Sequence, residues 1–172
     1  GVKLYADGAI GSRGAAFFEK YDDYETRGFL IFQKEETMPK LIKALVYGIQ
    51  IQTHAIGDLA NKVTLDWYKE AFDTVSSANR MIIDPRWRVE HSQNIRPSDQ
   101  QRFADMNIIA SMQPSHAIGD LHFAHKRLGE DRLENAYTWR SLIDLGVLVA
   151  GGSDAPVVIG DPRIEFKAAV SS

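Results

Sequence analysis

Three side chains of metal-ligand type close three short apolar runs in this sequence: His54, His91 and Asp154. The runs are IQIQTH (49–54), WRVEH (87–91) and VLVAGGSD (147–154), each of a length and composition suited to a strand. Imidazole and carboxylate donors together suit zinc, iron or manganese. A carboxylate beside such an ion can do more than bind. The ion lowers the pKa of its water toward about 7, and the carboxylate can accept that proton and pass it to a leaving group. Asp154 is read in that double role. A lone histidine at a strand end more often serves a backbone carbonyl or faces solvent. Three ligand-type residues at three strand exits, each near glycine or small residues, outweigh that blander reading.

These positions are far apart along the chain, so the elements between them must bring them together. Val2–Ala6 predicts a first strand, followed by a Gly/Ser-rich turn from Asp7 to Gly14. Phe17 to Gln33 is aromatic and acidic without clear periodicity, and reads as a long loop over the mouth. Thr37 can cap a helix from about Pro39 to Tyr47, with Gly48 as its stop. Asp58 can cap a helix to Val75 in which Leu59, Val63, Trp67, Ala71 and Val75 share a face. Ser76 to Pro85 is a polar connector. Pro97 and Ser98 open a short helix to Met106, and Asn107–Met112 is a further strand. A loop of three histidines follows, then a helix from Arg132 to Leu145 stopped by Gly146. This alternation gives an α/β fold with parallel strands and crossover helices. In a parallel α/β barrel the C-terminal strand ends share one mouth, where active sites are built.

Composition narrows the partners. Hydrophobic content of 44% with 25% charged residues is that of a globular chain. A net charge of -3 gives no electrostatic reason to bind nucleic acid or an anionic membrane. No apolar stretch approaches the ~20 residues of a membrane span, and no charged-then-apolar leader is visible; a cytoplasmic location fits. With no cysteine, any metal must be held by N and O ligands. The chain begins Gly1-Val2-Lys3 inside a strand and ends at Ser171-Ser172 inside the start of a helix. A complete eight-stranded barrel needs ~250 residues, so these 172 read as part of one. Open strand edges would favour a homo-oligomer.

His116 follows the strand ending Ser111-Met112-Gln113, and from that exit it could donate a hydrogen bond to a substrate carbonyl or its oxyanion. His122 and His125, with Asp120 nearby, form a rival metal site; a polar loop over the mouth is the favoured reading there. Gly8, Gly11 and Arg13 do not precede a helix as a phosphate cradle would. A turn carrying Arg13 to the mouth, in contact with substrate, is the better reading. Glu90 lies on the opposite side of its strand from His91 and suits a structural ion pair. Tyr68, Phe72 and Trp139 read as helix-face packing.

Five segments in order, KLYADGAIGSRGAA, THAIGDLANKVTLDWYKEA, RVEHSQ, ASMQPSHAIGD and VAGGSDAPV, resemble the amidohydrolase superfamily. The branch containing N-substituted formamide deformylases is the most similar, over nearly the whole chain. The resemblance implies a (β/α)8 TIM-type barrel whose mono- or binuclear metal centre activates water against amide-like C–N bonds of a small molecule. This chain would be the C-terminal half, strands four to eight. His54 matches the ligand ending strand five, His91 that ending strand six, and Asp154 the acid ending strand eight. Lys3, unremarkable alone, matches the strand-four lysine that can be carboxylated to bridge two metals. Zinc is the first expectation for the divalent ion, with iron or manganese as alternatives. The His-x-His pair that ends strand one in this family does not occur, so the isolated piece is expected to be inactive. The alternative function is a non-catalytic half-barrel that binds a ligand or partner. Phosphotriesterase-like or deaminase chemistry on the same centre is a third.

Overall fold

Five parallel strands lie side by side in chain order: β1 (Val2–Tyr5), β2 (Ile51–Ala55), β3 (Arg88–His91), β4 (Ile109–Met112) and β5 (Val149–Gly151). This is a computed structural model, and it describes residues 1–171. The helices are α1 (Lys34–Val46), α2 (Asp58–Thr74), α3 (Pro97–Asp105), α4 (Pro114–Asp120), α5 (Ala124–Leu133), α6 (Trp139–Asp144) and α7 (Pro162–Ser171). Ser172 lies outside the described residues. Parallel neighbours cannot be joined by a hairpin, which is why a helix follows each of the first four strands.

Alternation divides the sheet into two faces. Leu4, Ile51, Ala55, Val89, Ala110 and Met112 pack against the helices, with Leu41 and Leu45 of α1 and Leu65 and Tyr68 of α2. Each fully buried Leu, Ile, Val or Met among them contributes about 1.5–3 kcal/mol by leaving water. Trp87 is fully buried where β3 begins, against Tyr68 and Phe72. The Tyr68 hydroxyl is satisfied there, 2.6 Å from Thr53 and donating to Arg88 O at 3.0 Å. The opposite face carries Lys3, Tyr5, Gln52, His54, Arg88, Glu90 and Ser111, by the register of the ladder. Its polar character comes from an ion pair: Arg88 holds both oxygens of Glu90 and the Ser111 hydroxyl.

Several boundaries differ from the sequence expectations, each for a local reason. Helix α1 begins at Lys34 with Pro39 inside it, because Met38 and Leu41 are both needed in the core. Gly57 caps α2, and Asp58 is its first residue; Asp58 Oδ1 instead accepts from Phe18 N and pins the long loop. The histidine-bearing loop is helical, formed by α4 and α5. The helix expected over 132–145 is broken after Leu133. There Asn135 O accepts from Ile95 N, and Tyr137 takes a left-handed backbone (φ 53°) with its N–H on Gln93 O. Those bonds draw the segment to the exit of β3.

The long loop between β1 and α1 packs its own small core of Ile10, Ala15, Phe17 and Tyr21 against Ile56 and Leu128. Arg13 and Arg127 share Asp23, and Arg132 takes Asp22, which fastens the loop to α5. The loop also presses onto the exit of β2. A Cβ built on Gly57 would sit 2.0 Å from Ala16 O, so only glycine fits there.

Candidate metal centre

The first positioning device is Asp7, just past β1. Its side chain is fully buried, and its two oxygens accept from Ala16 N (2.8 Å), Ile56 N (3.0 Å) and Gly57 N (2.8 Å). One carboxylate thereby ties the exit of β1 to the exit of β2, where His54 stands. His54 Nε2 lies 3.4 Å from both Asp7 Oδ1 and Gly8 O, while Nδ1 has no partner among the described residues.

His91 reaches the same place by a different route. Its register partner is Ala55, which faces the helices, so simple alternation would bury it there. Left-handed backbone at His91 (φ 72°) and Ser92 (φ 46°) breaks the alternation. The imidazole turns to the mouth and meets His54, ring centroids 4.5 Å apart. Non-glycine residues hold such angles only where their surroundings compel them, often at functional sites. Asp154, three residues beyond β5, also has a positive φ (57°) and brings Oδ2 within 4.0 Å of His91 Nε2.

The other ring nitrogen, Nδ1, is 2.7 Å from Gln113 Oε1. An amide oxygen only accepts, so Nδ1 carries the proton and Nε2 keeps its lone pair toward Asp154. Burial, with His54 beside it, holds the His91 imidazole well below its ordinary pKa and therefore neutral. Two ligands of one zinc ion sit about 2.0–2.2 Å from it and hence ~3–3.5 Å from each other. At 4.0 Å the His91–Asp154 pair is wider by about 0.5–1 Å. Among the described residues no three His, Asp or Glu side chains are gathered closely enough to enclose an ion. The donor types, the fixed tautomer and the shared wall nonetheless fit a divalent cation.

A cavity of about 600 Å³ opens in front of this wall, and Lys3, His54, His91, His116 and Asp154 all line it. Lys3 Nζ lies over the Tyr5 ring at 5.3 Å. His116, on α4, stacks on His91 with ring centroids 6.0 Å apart, and its buried Nε2 has no partner among the described residues. Helix α4 is held from behind by Glu165 of α7, which accepts from Ser115 N at 2.9 Å. Arg13 is not part of the cavity; its guanidinium is fully engaged by Asp23 and rests over Tyr24. His122 and His125 do not line it either. Asp7 and Gln113 are polar positions at or beside the site that sequence reasoning missed, and Asp120, which it placed with His122 and His125, lines this cavity instead. Asp7 reads there only as part of an Asp-Gly turn, and Gln113 as the end of a strand.

Gln113 offers a test. Replacing it by Leu should weaken divalent-metal affinity about 10- to 100-fold in a zinc titration, because the imidazole loses the group that orients it. Unchanged affinity would mean that Gln113 is mere packing.

The geometry agrees with what the chain is similar to. An amidohydrolase family model matches residues 1–172. The chain is 37% identical over 172 residues to Protein LONG AFTER FAR-RED 3 of Arabidopsis thaliana, covering 99% of this chain and 29% of that one. It is 29% identical over 157 residues to an N-substituted formamide deformylase of Arthrobacter pascens, covering 90% and 28%. The crystal structure of an uncharacterized metal-dependent hydrolase from Pyrococcus furiosus superposes with a TM-score of 0.86 at 31% identity, over 99% of this chain and 34% of the other. The chain thus spans about three tenths of the length of the curated relatives it matches. A divalent metal is what this family implies. Because that family model matches the chain from residue 1 to residue 172, this protein belongs to the amidohydrolase family.

Proposed function

We propose that residues 1–172 are strands four to eight of a (β/α)8 barrel, the C-terminal half of a hydrolase that cleaves amide-like C–N bonds in small molecules. The observation that carries the reading is the meeting of His54, His91 and Asp154 on one cavity wall, from three separate strand exits. The unbroken parallel order β1 to β5 supports the barrel.

His54 and His91 would hold a divalent ion, zinc first, with Asp154 and a carboxylated Lys3 as further ligands. When bound, that ion supplies a Lewis acid and lowers the pKa of water. The chain's own residues do the rest. Gln113 keeps the His91 lone pair turned outward. Asp154, more exposed than His54 or His91, takes the proton from the attacking water and returns it to the leaving nitrogen. His116 lines the cavity, and its imidazole would donate to the substrate carbonyl, where a hydrogen bond strengthens as negative charge develops. Ile10, Ile56 and Phe123 shield the reacting groups from bulk water.

The test is removal and return of the metal. Incubating the intact protein with a chelator should abolish hydrolysis of an N-substituted formamide, and adding zinc should restore it. Hydrolysis that persists in the chelated protein would overturn the reading.

A further inference from the structure

The cavity contains one charged group with no part in the steps above. Asp120 closes α4, one turn after His116 and on the same helical face. Its Oδ2 accepts from both Gln93 Nε2 (2.5 Å) and Tyr137 OH (2.6 Å). Its Oδ1 accepts nothing from the described residues. Both donors are neutral and both fall on one oxygen, so they fix the direction of the carboxylate without cancelling its charge. No Lys or Arg among the described residues forms an ion pair with it, unlike Asp22, Asp23, Asp66, Asp99, Asp144 and Asp161.

The cavity it lines carries the apolar side chains of Ile10, Ile56, Phe123, Val157 and Val158 beside its polar groups, and His116 is the ionisable side chain whose field reaches Asp120. A carboxylate in such surroundings is poorly solvated, and burial raises the pKa of Asp120 accordingly. A neutral N–H from a ligand would add a hydrogen bond but leave the charge uncompensated. A cation does both.

We propose that Asp120 is a specificity-determining residue, selecting substrates that carry a positively charged nitrogen, an ammonium or guanidinium, away from the amide to be cleaved. Gln93 and Tyr137 position it for that contact. The inference rests on the hydrolase reading for the word substrate, but the recognition itself is a binding property and needs no turnover.

The experiment compares two probes in the intact protein by isothermal titration calorimetry: N-(4-aminobutyl)acetamide and its uncharged isostere N-pentylacetamide. The ammonium probe should bind at least tenfold more tightly, as expected for one charge-assisted hydrogen bond. In Asp120→Asn that ratio should fall to within about twofold of unity. Asp120→Ser, which keeps a hydroxyl acceptor for Tyr137, should lose the preference equally, so a folding failure in one variant leaves the other to decide. Equal binding of the two probes by the unsubstituted protein would overturn the proposal. So would a preference that survives both substitutions. A protein that shows the preference yet hydrolyses no amide keeps Asp120 as a cation site and refutes only the hydrolase reading.

Discussion

Changing Asp154 to Asn should lower kcat of the intact protein for its amide substrate by about 10²- to 10⁴-fold, the range over which a positioned general base acts. Its melting temperature should move by no more than about 2 °C. Asn is nearly isosteric and is one of the few residues at ease with positive φ, so the backbone at φ 57° tolerates it. The side chain is 36% exposed and its nearest ionisable neighbour among the described residues is the neutral imidazole of His91, so little folding energy depends on it. What is lost is a proton acceptor and a full negative charge toward the metal. Activity within threefold of the unsubstituted protein would remove Asp154 from the mechanism.

The largest effect on stability is expected at Asp7. Asp7→Ala leaves three buried N–H groups, at Ala16, Ile56 and Gly57, without an acceptor. Each such orphan costs about 1–3 kcal/mol, so the substitution should cost about 4 kcal/mol or more. That is a large share of the ~5–15 kcal/mol by which a domain is stable. At ~2–4 °C per kcal/mol for a chain of this size, the melting temperature should fall by about 10 °C, or the protein should fail to fold. Asp7→Asn should cost less, because it keeps one acceptor oxygen. Differential scanning calorimetry of both variants decides the matter. A shift under about 2 °C for the alanine variant would show that water replaces the carboxylate.

Asp7 also marks the limit of what could be read without coordinates. The strands and their parallel order follow from composition and spacing: Ile51–Ala55, Arg88–His91 and Ile109–Met112 each lie within a residue or two of the expected runs. Hydrophobic runs and helix caps are local signals, and a sequence displays them directly. The approach of Asp7 to residues 16, 56 and 57 is a long-range pairing whose partners are backbone groups, which carry no residue identity. His91 illustrates a second limit. Period-two alternation sends its side chain toward the helices, and only the left-handed turn at His91-Ser92 brings it to the mouth. Nothing in the letters RVEHSQ announces that turn. The break between α5 and α6 is a third case, because the backbone bonds that draw residues 135–137 to β3 outweigh their helical pattern.

If His54, His91 and Asp154 serve one metal centre, anomalous diffraction at the zinc edge from crystals of the intact protein grown with zinc will locate the ion between them. An anomalous peak is expected about 2.0–2.2 Å from His91 Nε2 and from an Asp154 oxygen, with His54 bound to that ion or to a second one ~4 Å away. Zinc located only at His122, His125 or another surface site, with the cavity wall empty, would contradict it.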